Sequence, residues 1–196
     1  MSSDRYTFKM LSTSRLLQDK ALPTLVEIVS YDPDWISQFS MAEAALKGLL
    51  GDRVIAVDHV GSTAVPGLAA KPVIDIDITL SSSSDIPSAT EDLVKEGFEN
   101  RGNRYDDGVW AFLLKTTSPQ FRVYLCPPAN RTHQHRLIFR DYLRQHQNVA
   151  RRYAALKTQL AERFAYDGDR YTSGKRQFVL ETVRRAMEEG QIQHWC

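Results

Sequence analysis

Residues 60–80, VGSTAVPGLAAKPVIDIDITL, contain the stretch that decides the fold. In residues 73–80 every even position is a large aliphatic residue, whereas Asp75 and Asp77 occupy odd positions. Successive side chains of a β-strand point to opposite faces of the sheet, so this alternation predicts a strand with one face in the core. The glycines and prolines of residues 61–72 predict a loop that leads into this strand.

Asp75 and Asp77 are the first candidates for chemistry. Aspartate is disfavoured inside strands, and a buried carboxylate is costly unless it is paired or bound to a cation. The two side chains leave the same face about 6.5–7 Å apart, so they are able to share one cation or a pair of cations. Oxygen ligands favour Mg²⁺ or Mn²⁺, and both aspartates are therefore predicted metal ligands and catalytic groups. The alternative is an edge strand whose aspartates simply face water.

Gly61 and Ser62 follow a strand predicted at residues 54–60. Glycine lets the backbone approach an anion closely, and a serine hydroxyl with nearby amide groups can hold phosphate oxygens. A Gly-Ser pair alone carries no information, because it is common in any sequence. A Gly-Ser pair, twelve intervening residues and then Asp-Ile-Asp in a strand have the form of the nucleotidyltransferase superfamily signature. This conjunction predicts binding of a nucleoside triphosphate (NTP).

The residues around this motif extend the match to one family. Residues 59–77, together with YDPDW at 31–35 and FRDYLR at 139–144, closely resemble the GrpB (UPF0157) family. The resemblance covers residues 25–185 and implies a small nucleotidyltransferase-like fold in a family with poorly defined substrates. The same domain occurs fused behind dephospho-CoA kinase in some bacteria. This chain has no GxxxxGK[ST] phosphate loop, so it is not itself that kinase.

One departure from the family pattern falls in a predicted strand. Family members often have His-Leu-His-Val there, whereas this chain has RVYL at residues 122–125. Working members of the superfamily commonly add a third carboxylate from a neighbouring strand, and neither Arg122 nor Tyr124 is a good ligand for Mg²⁺. Asp106 and Asp107 are candidate substitutes, although an exposed turn explains them equally well. The third carboxylate is predicted to be missing or displaced, which weakens the case for catalysis more than for binding.

Three basic residues, Lys71, Arg140 and Lys175, are further candidates for nucleotide contacts. Lys71 lies in the loop before the aspartates and fits a phosphate contact or a solvated lysine equally well. An ion pair with the adjacent Asp141 is the simpler interpretation of Arg140, and Lys175 has a similar alternative. His59 is expected to make structural hydrogen bonds rather than to act in catalysis.

Strands and helices are mixed along the chain and end in a helical part. Asp32-Pro33 is a strong helix start, and the basic residues between 144 and 163 are interpreted as a solvated helix face. Strands are predicted at 25–29, 54–60, 73–80, 97–101, 109–116 and 121–126, and later helices at 86–96, 132–146, 148–166 and 174–189. This order predicts an α+β (or α/β) fold, a nucleotidyltransferase-like mixed sheet flanked by helices with a helical C-terminal part. Residues 1–22 are predicted to be an N-terminal extension and residues 23–190 the domain.

Composition limits the partners. The 196 residues include 25 Lys and Arg against 24 Asp and Glu, so charge gives no reason to expect duplex nucleic acid. The two cysteines, Cys126 and Cys196, form no CxxC pair, which fits a reducing compartment and a cytoplasmic location. No apolar run reaches the length of about 18 residues that a membrane helix requires.

These patterns favour a metal-dependent nucleotidyltransferase that moves a nucleoside monophosphate from an NTP to an unknown acceptor. In this hypothesis Gly61 and Ser62 position phosphates, while Asp75 and Asp77 hold Mg²⁺. The alternative is a non-catalytic nucleotide-binding or folding-accessory domain. One structural feature separates the two: either the aspartates open into a cleft beside a third carboxylate, or they pair internally with Lys or Arg.

Overall fold

Residues 25–190 are described by the computed structural model, and the extension predicted at residues 1–22 lies outside them. Five strands form one mixed sheet in the order β1-β2-β5-β4-β3. The strands are β1 Val54–Val60, β2 Val73–Leu80, β3 Glu99–Gly102, β4 Trp110–Leu114 and β5 Gln120–Cys126. The helices are α1 Asp34–Leu50, α2 Ile86–Lys95, α3 Arg131–Gln145, α4 Gln147–Arg163, α5 Gly168–Gly174 and α6 Arg176–Glu188. The predicted α+β class, with a mixed sheet and a helical C-terminal part, is confirmed.

Strand β2 has the two faces that its alternation predicts. Its four even-numbered side chains are completely buried: Ile74, Ile76, Ile78 and Leu80. They pack in the main core with Trp35, Ala42 and Leu46 of α1 and with Leu93 of α2. Because β2 pairs antiparallel with β1 and parallel with β5, the edge-strand interpretation of its aspartates is wrong.

A second apolar cluster joins the helical part to the loop after β1. Val65 and Leu68 of that loop are buried against side chains of α3, α4 and α6, which include Ile138, Tyr142, Tyr153 and Val183. Burial of these side chains fixes α3 beside the polar face of β2, the face that carries the aspartates. No helix within residues 25–190 is long and apolar enough to cross a membrane.

The start of α1 follows the predicted signal. The Asp32 carboxylate accepts a hydrogen bond from the amide of Asp34 at 2.9 Å, which satisfies one of the free amides of the first turn. Pro33 already has helical backbone angles, with φ −59° and ψ −25°. The local sequence therefore supplies the signal for this helix start.

One predicted strand is absent, and one predicted helix ends earlier than expected. Residues 25–29 form no strand, and only Val29 pairs, in an isolated antiparallel bridge with Ala70. The helix predicted at 148–166 ends at Arg163, because Phe164 leaves the helical region with φ −125° and ψ 43°. The side chain of Asp167 then caps the separate helix α5 by accepting a hydrogen bond from the amide of Arg170 at 3.0 Å.

Candidate functional site

The odd positions of β2 and their neighbours across the sheet form the polar face on which the candidate site is built. Asp58 of β1 lies opposite Asp77 in the antiparallel pairing. Arg122 and Tyr124 of β5 lie beside Asp75 and Asp77 in the parallel pairing. Side chains at paired positions share a face of the sheet, so acidic and basic groups from three strands meet here.

Gly61 brings the turn after β1 against the first aspartate. Its backbone has φ 74° and ψ −167°, a combination that is almost restricted to glycine. A Cβ atom at this position would lie 2.6 Å from Asp75 Oδ2. The glycine is therefore required for a close approach, and the group that approaches is the Asp75 carboxylate.

Asp75 opens into a cleft between the sheet and α5. The cleft is lined by Ser62, Ala70, Lys71, Val73, Asp75, Arg122, Tyr171, Thr172 and Lys175. Its volume is about 70 Å³, below the range of about 300–1,000 Å³ typical of sites that enclose a whole small molecule, so the cleft suits one part of a ligand. The fold thus brings Ser62, Lys71, Asp75 and Lys175, all singled out from the sequence, to one place.

The cleft is cationic, because Lys71, Arg122 and Lys175 face the single carboxylate of Asp75. Arg122 Nη1 donates a hydrogen bond to Asp75 Oδ1 at 3.4 Å, and the negative charge of Asp75 raises the pKa of Arg122 above its usual value. Burial lowers the pKa of Lys175 to about 8, and the positive charges of Arg122 and Lys71 act in the same direction. Burial also lowers the pKa of Lys71. A bound anion would relieve this repulsion between cations.

Lys157 of α4 lies behind the cleft and not in solvent. Its side chain is 1% exposed, and Nζ donates a hydrogen bond to the carbonyl oxygen of Ala69. Burial, together with the charge of Lys175, lowers the pKa of Lys157 to about 7. The interpretation of the basic residues between 144 and 163 as a solvated face is wrong for this lysine.

Asp77 is enclosed by α3 and is 0% exposed. Arg136 Nη1 donates a hydrogen bond to Oδ1 at 2.7 Å, and His133 Nδ1 is hydrogen-bonded to Oδ2 at 2.9 Å. The guanidinium of Arg136 also lies 3.8 Å from the centre of the Tyr124 ring, where a cation–π contact holds it in place. Both carboxylate oxygens of Asp77 are therefore already paired inside the protein.

A third carboxylate is present, but it comes from β1 and not from β5. Asp58 Oδ2 lies 3.7 Å from His133 Nε2, and Oδ1 lies 3.5 Å from Arg140 Nη1. The sequence predicts a third carboxylate that is missing or displaced, and its pattern did not indicate Asp58. The pairing of Asp58 with Asp77 depends on the register of two strands, which the sequence does not display.

Asp106 and Asp107 lie in the turn before β4, outside the residues that line the cleft. Asp106 is in a left-handed conformation with φ 52°. Asp107 accepts hydrogen bonds from the amide of Val109 at 3.1 Å and from the hydroxyl of Thr132 at 2.9 Å. These contacts support the interpretation of Asp106 and Asp107 as residues of a turn and not as substitutes for the third carboxylate.

The divalent cation implied by the fold class requires open carboxylate oxygens. Here Asp75 faces Arg122, and both oxygens of Asp77 are occupied by Arg136 and His133. A cation such as Mg²⁺ or Mn²⁺ would meet two guanidinium groups within this cluster, and like charges repel at such distances. The arrangement of these side chains therefore does not fit a magnesium or manganese site.

One softer set of ligand atoms exists on the same face. Asp77, Cys126 and His133 offer atoms within 4.8 Å of one another, and all three residues are buried. A carboxylate, a thiol and an imidazole suit Zn²⁺ better than Mg²⁺. The Asp77 carboxylate in this set is the one already paired with Arg136.

Helix α3 supplies two partners of the aspartates that the sequence did not indicate, His133 and Arg136, beside the candidate Arg140. His133, Arg136 and Arg140 are three and four residues apart and therefore line one face of the helix, which points at the aspartates of β1 and β2. Basic residues at helical spacing were the feature of the sequence that could have indicated these partners. Arg140 itself donates to Asp141 at 2.7 and 2.9 Å and is not among the residues that line the cleft.

His59 has the structural surroundings expected of it. Its Nε2 lies 2.9 Å from the hydroxyl oxygen of Thr63, and its ring stacks on Phe39 with the ring centres 4.7 Å apart. Burial lowers the pKa of His59 to about 4, and the charges of Arg144 and Arg140 add to this effect. The ring is therefore neutral near pH 7 and supports the turn that carries Gly61.

The mixed sheet and its motif define a protein with a nucleotidyltransferase-like fold. The structure of Cid1 in complex with its short product ApU resembles it with a TM-score of 0.51 and 15% identity, over 69% of this chain and 43% of that one. The crystal structure of conserved protein GrpB from Enterococcus faecalis gives a TM-score of 0.76 at 29% identity, over 85% of this chain and all of that one. The model of the GrpB protein family matches residues 25–185. The chain belongs to the GrpB family.

Sequence identity to related proteins supports the assignment to the GrpB family. UPF0157 protein YqkA of Bacillus subtilis is 33% identical over 161 residues, which are 82% of this chain and 47% of that protein. A dephospho-CoA kinase of Mycolicibacterium paratuberculosis is 28% identical over 195 residues, which are 87% of this chain and 48% of that protein. The chain thus spans about half the length of these two relatives.

Proposed function

We propose that this chain is a nucleotide-binding domain that holds the phosphates of an NTP in the cleft between the sheet and α5. The observation that carries the proposal is the convergence of Lys71, Arg122 and Lys175 on one cleft with a single carboxylate. Partly buried cations that repel one another favour a multiply charged anion over a neutral ligand.

The individual groups suit phosphate oxygens. Arg122 offers a planar fork that binds two phosphate oxygens at once, whereas Lys71 and Lys175 act as point charges. The Nζ atoms of both lysines lie over the ring of Tyr171, at 5.8 and 4.4 Å from its centre. Because this ring is 2% exposed, it gives the two lysines a fixed support. Ser62 adds a hydroxyl at the edge of the cleft.

Nucleotidyl transfer from the same cleft is the second candidate function. It is favoured by one observation: the carboxylate of Asp75 faces the cleft beside Ser62, as the first aspartate of the motif should. Against it stand the ion pairs of Asp75 with Arg122 and of Asp77 with Arg136, which would have to open. The similarity to dephospho-CoA kinases also supports an accessory role for this domain.

Isothermal titration calorimetry with ATP, GTP, CTP and UTP tests the proposal. At least one NTP should bind, and Lys175→Ala should weaken its affinity about tenfold or more, since a hydrogen bond to a charged group contributes about 1.5–3 kcal/mol. Lys115→Ala is the matched control, because Lys115 is half-exposed and pairs with Glu99 at 3.0 Å on the surface. The absence of binding by all four nucleotides would refute the proposal.

Pyrophosphate release separates binding from transfer. The wild-type chain is incubated with the NTP that binds and with a panel of hydroxyl acceptors, and pyrophosphate is measured. Binding without release supports the nucleotide-binding function. Release that disappears in Asp75→Asn, with the fold intact by circular dichroism, would establish transfer in its place.

A further inference from the structure

We infer that guanidinium groups take the place of divalent cations in this site, so that the cleft binds nucleotide phosphates that carry no metal ion. The inference rests on the proposed function, because it specifies the form in which the nucleotide is bound. It starts from the observation that each aspartate of the motif faces an arginine: Asp75 faces Arg122 and Asp77 faces Arg136.

Arg122 is placed to bind phosphate and Asp75 together. One of its terminal nitrogens donates to Asp75 Oδ1 at 3.4 Å, while the side chain remains 39% exposed and lines the cleft. A guanidinium has five N–H donors, so its bonds to Asp75 and to the side chain of Tyr124 leave donors free for phosphate oxygens. The positive charge of arginine is permanent near neutral pH, which makes Arg122 a fixed cation between a carboxylate and a phosphate.

Arg136 keeps the second aspartate, Asp77, paired and inaccessible to a ligand. Asp77 is 0% exposed, and its partner Arg136 is fixed between Asp77 at 2.7 Å and the Tyr124 ring at 3.8 Å. Removing a guanidinium from a buried carboxylate leaves an uncompensated charge and is strongly unfavourable. Of the two aspartates of the motif, a nucleotide that arrives with its metal ion would therefore find at most Asp75 open.

The charge of the cleft also favours a nucleotide that carries no metal ion. Lys71, Arg122 and Lys175 surround a single carboxylate, so the free polyphosphate anion is attracted more strongly than its magnesium complex, which carries two fewer negative charges. Repulsion between the cleft cations and Mg²⁺ adds to the difference. The structure therefore favours the metal-free nucleotide as the ligand.

The test compares calorimetric affinities of the wild-type chain for the same NTP in EDTA and in excess MgCl₂ at equal ionic strength. Equal affinity, or affinity several-fold higher in EDTA, supports the inference. Tighter binding in MgCl₂ overturns it and leaves the proposed nucleotide-binding function standing. The absence of binding in both buffers refutes the proposed function and the inference together.

A variant pair gives a second readout. Arg122→Gln should lower the affinity in EDTA about tenfold or more, since a charge-assisted bidentate contact to phosphate is lost. It should also shift the preference towards MgCl₂, because Asp75 loses its cationic partner. Arg101→Gln is the control, since Arg101 is 38% exposed and pairs with Glu99 on the surface strand β3. Unchanged affinity in EDTA for a folded Arg122→Gln chain would contradict the role given to Arg122.

Discussion

At Gly61 the conformation of one residue fixes the position of the first aspartate. Its φ of 74° and ψ of −167° belong to a region that other residues rarely enter, and a Cβ atom would contact Asp75 Oδ2 at 2.6 Å. We expect Gly61→Ala to lower the free energy of unfolding by about 3 kcal/mol, from backbone strain and the displaced carboxylate together. Urea denaturation followed by circular dichroism measures this change.

Gly67 separates the two contributions in that prediction. It has nearly the same φ, 76°, but the space that a Cβ atom would enter is open, with no contact within 4 Å. Gly67→Ala should therefore cost only about 1–2 kcal/mol, the strain of a positive φ alone. Equal costs at the two glycines would show that the contact with Asp75 contributes nothing to stability.

At the scale of elements, the ion pair between Arg136 and Asp77 joins helix α3 to strand β2. We expect Arg136→Met to lower the free energy of unfolding by about 3–5 kcal/mol, because a fully buried carboxylate loses its charged partner. Thermal and urea denaturation of the variant measure the loss. A loss below about 1 kcal/mol would mean that His133 alone satisfies Asp77.

The exposed pair of α6 is the matched control for this experiment. Arg184 and Glu188 are 2.6 Å apart, close to the 2.7 Å of the buried pair, but their side chains are 69% and 59% exposed. Solvent screens such a pair, so Arg184→Met should cost at most about 1 kcal/mol. Since the pair distances are nearly equal, the difference between the two variants reports burial together with the contact of Arg136 with the Tyr124 ring.

At the scale of the whole molecule, the sequence predicted features set by residues that are close along the chain and missed contacts between residues that are far apart. Strand β2, the turn at Gly61 and the start of α1 are set by neighbouring residues, and each was predictable from local patterns. The partners of the two aspartates lie 47 and 59 residues further along, at Arg122 and Arg136. Only the strand register and the docking of α3 bring these residues together, so no local pattern in the sequence indicates the two ion pairs.

The buried lysine shows the same limit. Lys157 occupies a helix rich in basic residues, and its burial behind the cleft follows from the packing of α4 against the loop that contains Ala69. Hydrophobic periodicity identifies the apolar face of a helix, but it does not reveal a basic residue that this face encloses. The family resemblance, in contrast, predicted the fold correctly because it used residues from 25 to 185 together.

The cleft as a whole should bind anions in a pH-dependent way, with Lys175 as the titrating group. Its pKa is lowered to about 8 by burial, with Asp75 opposing the shift and Arg122 and Lys71 adding to it. The protonated lysine is the form that attracts phosphate, so affinity should be constant below the pKa and fall as pH rises through it. Between pH 7 and pH 9 we expect a loss of about tenfold, one proton being required for binding.

Lys175→Arg tests whether Lys175 causes this dependence. Arginine keeps its charge throughout that pH range, so the variant should bind with nearly the same affinity at both ends if Lys175 is responsible. Lys71, whose pKa is also lowered by burial, contributes any slope that remains, and Lys71→Arg on the same background should remove it. Calorimetric titrations at several pH values distinguish these cases, because a wild-type profile that stays flat up to pH 9 would remove Lys175 from the binding site.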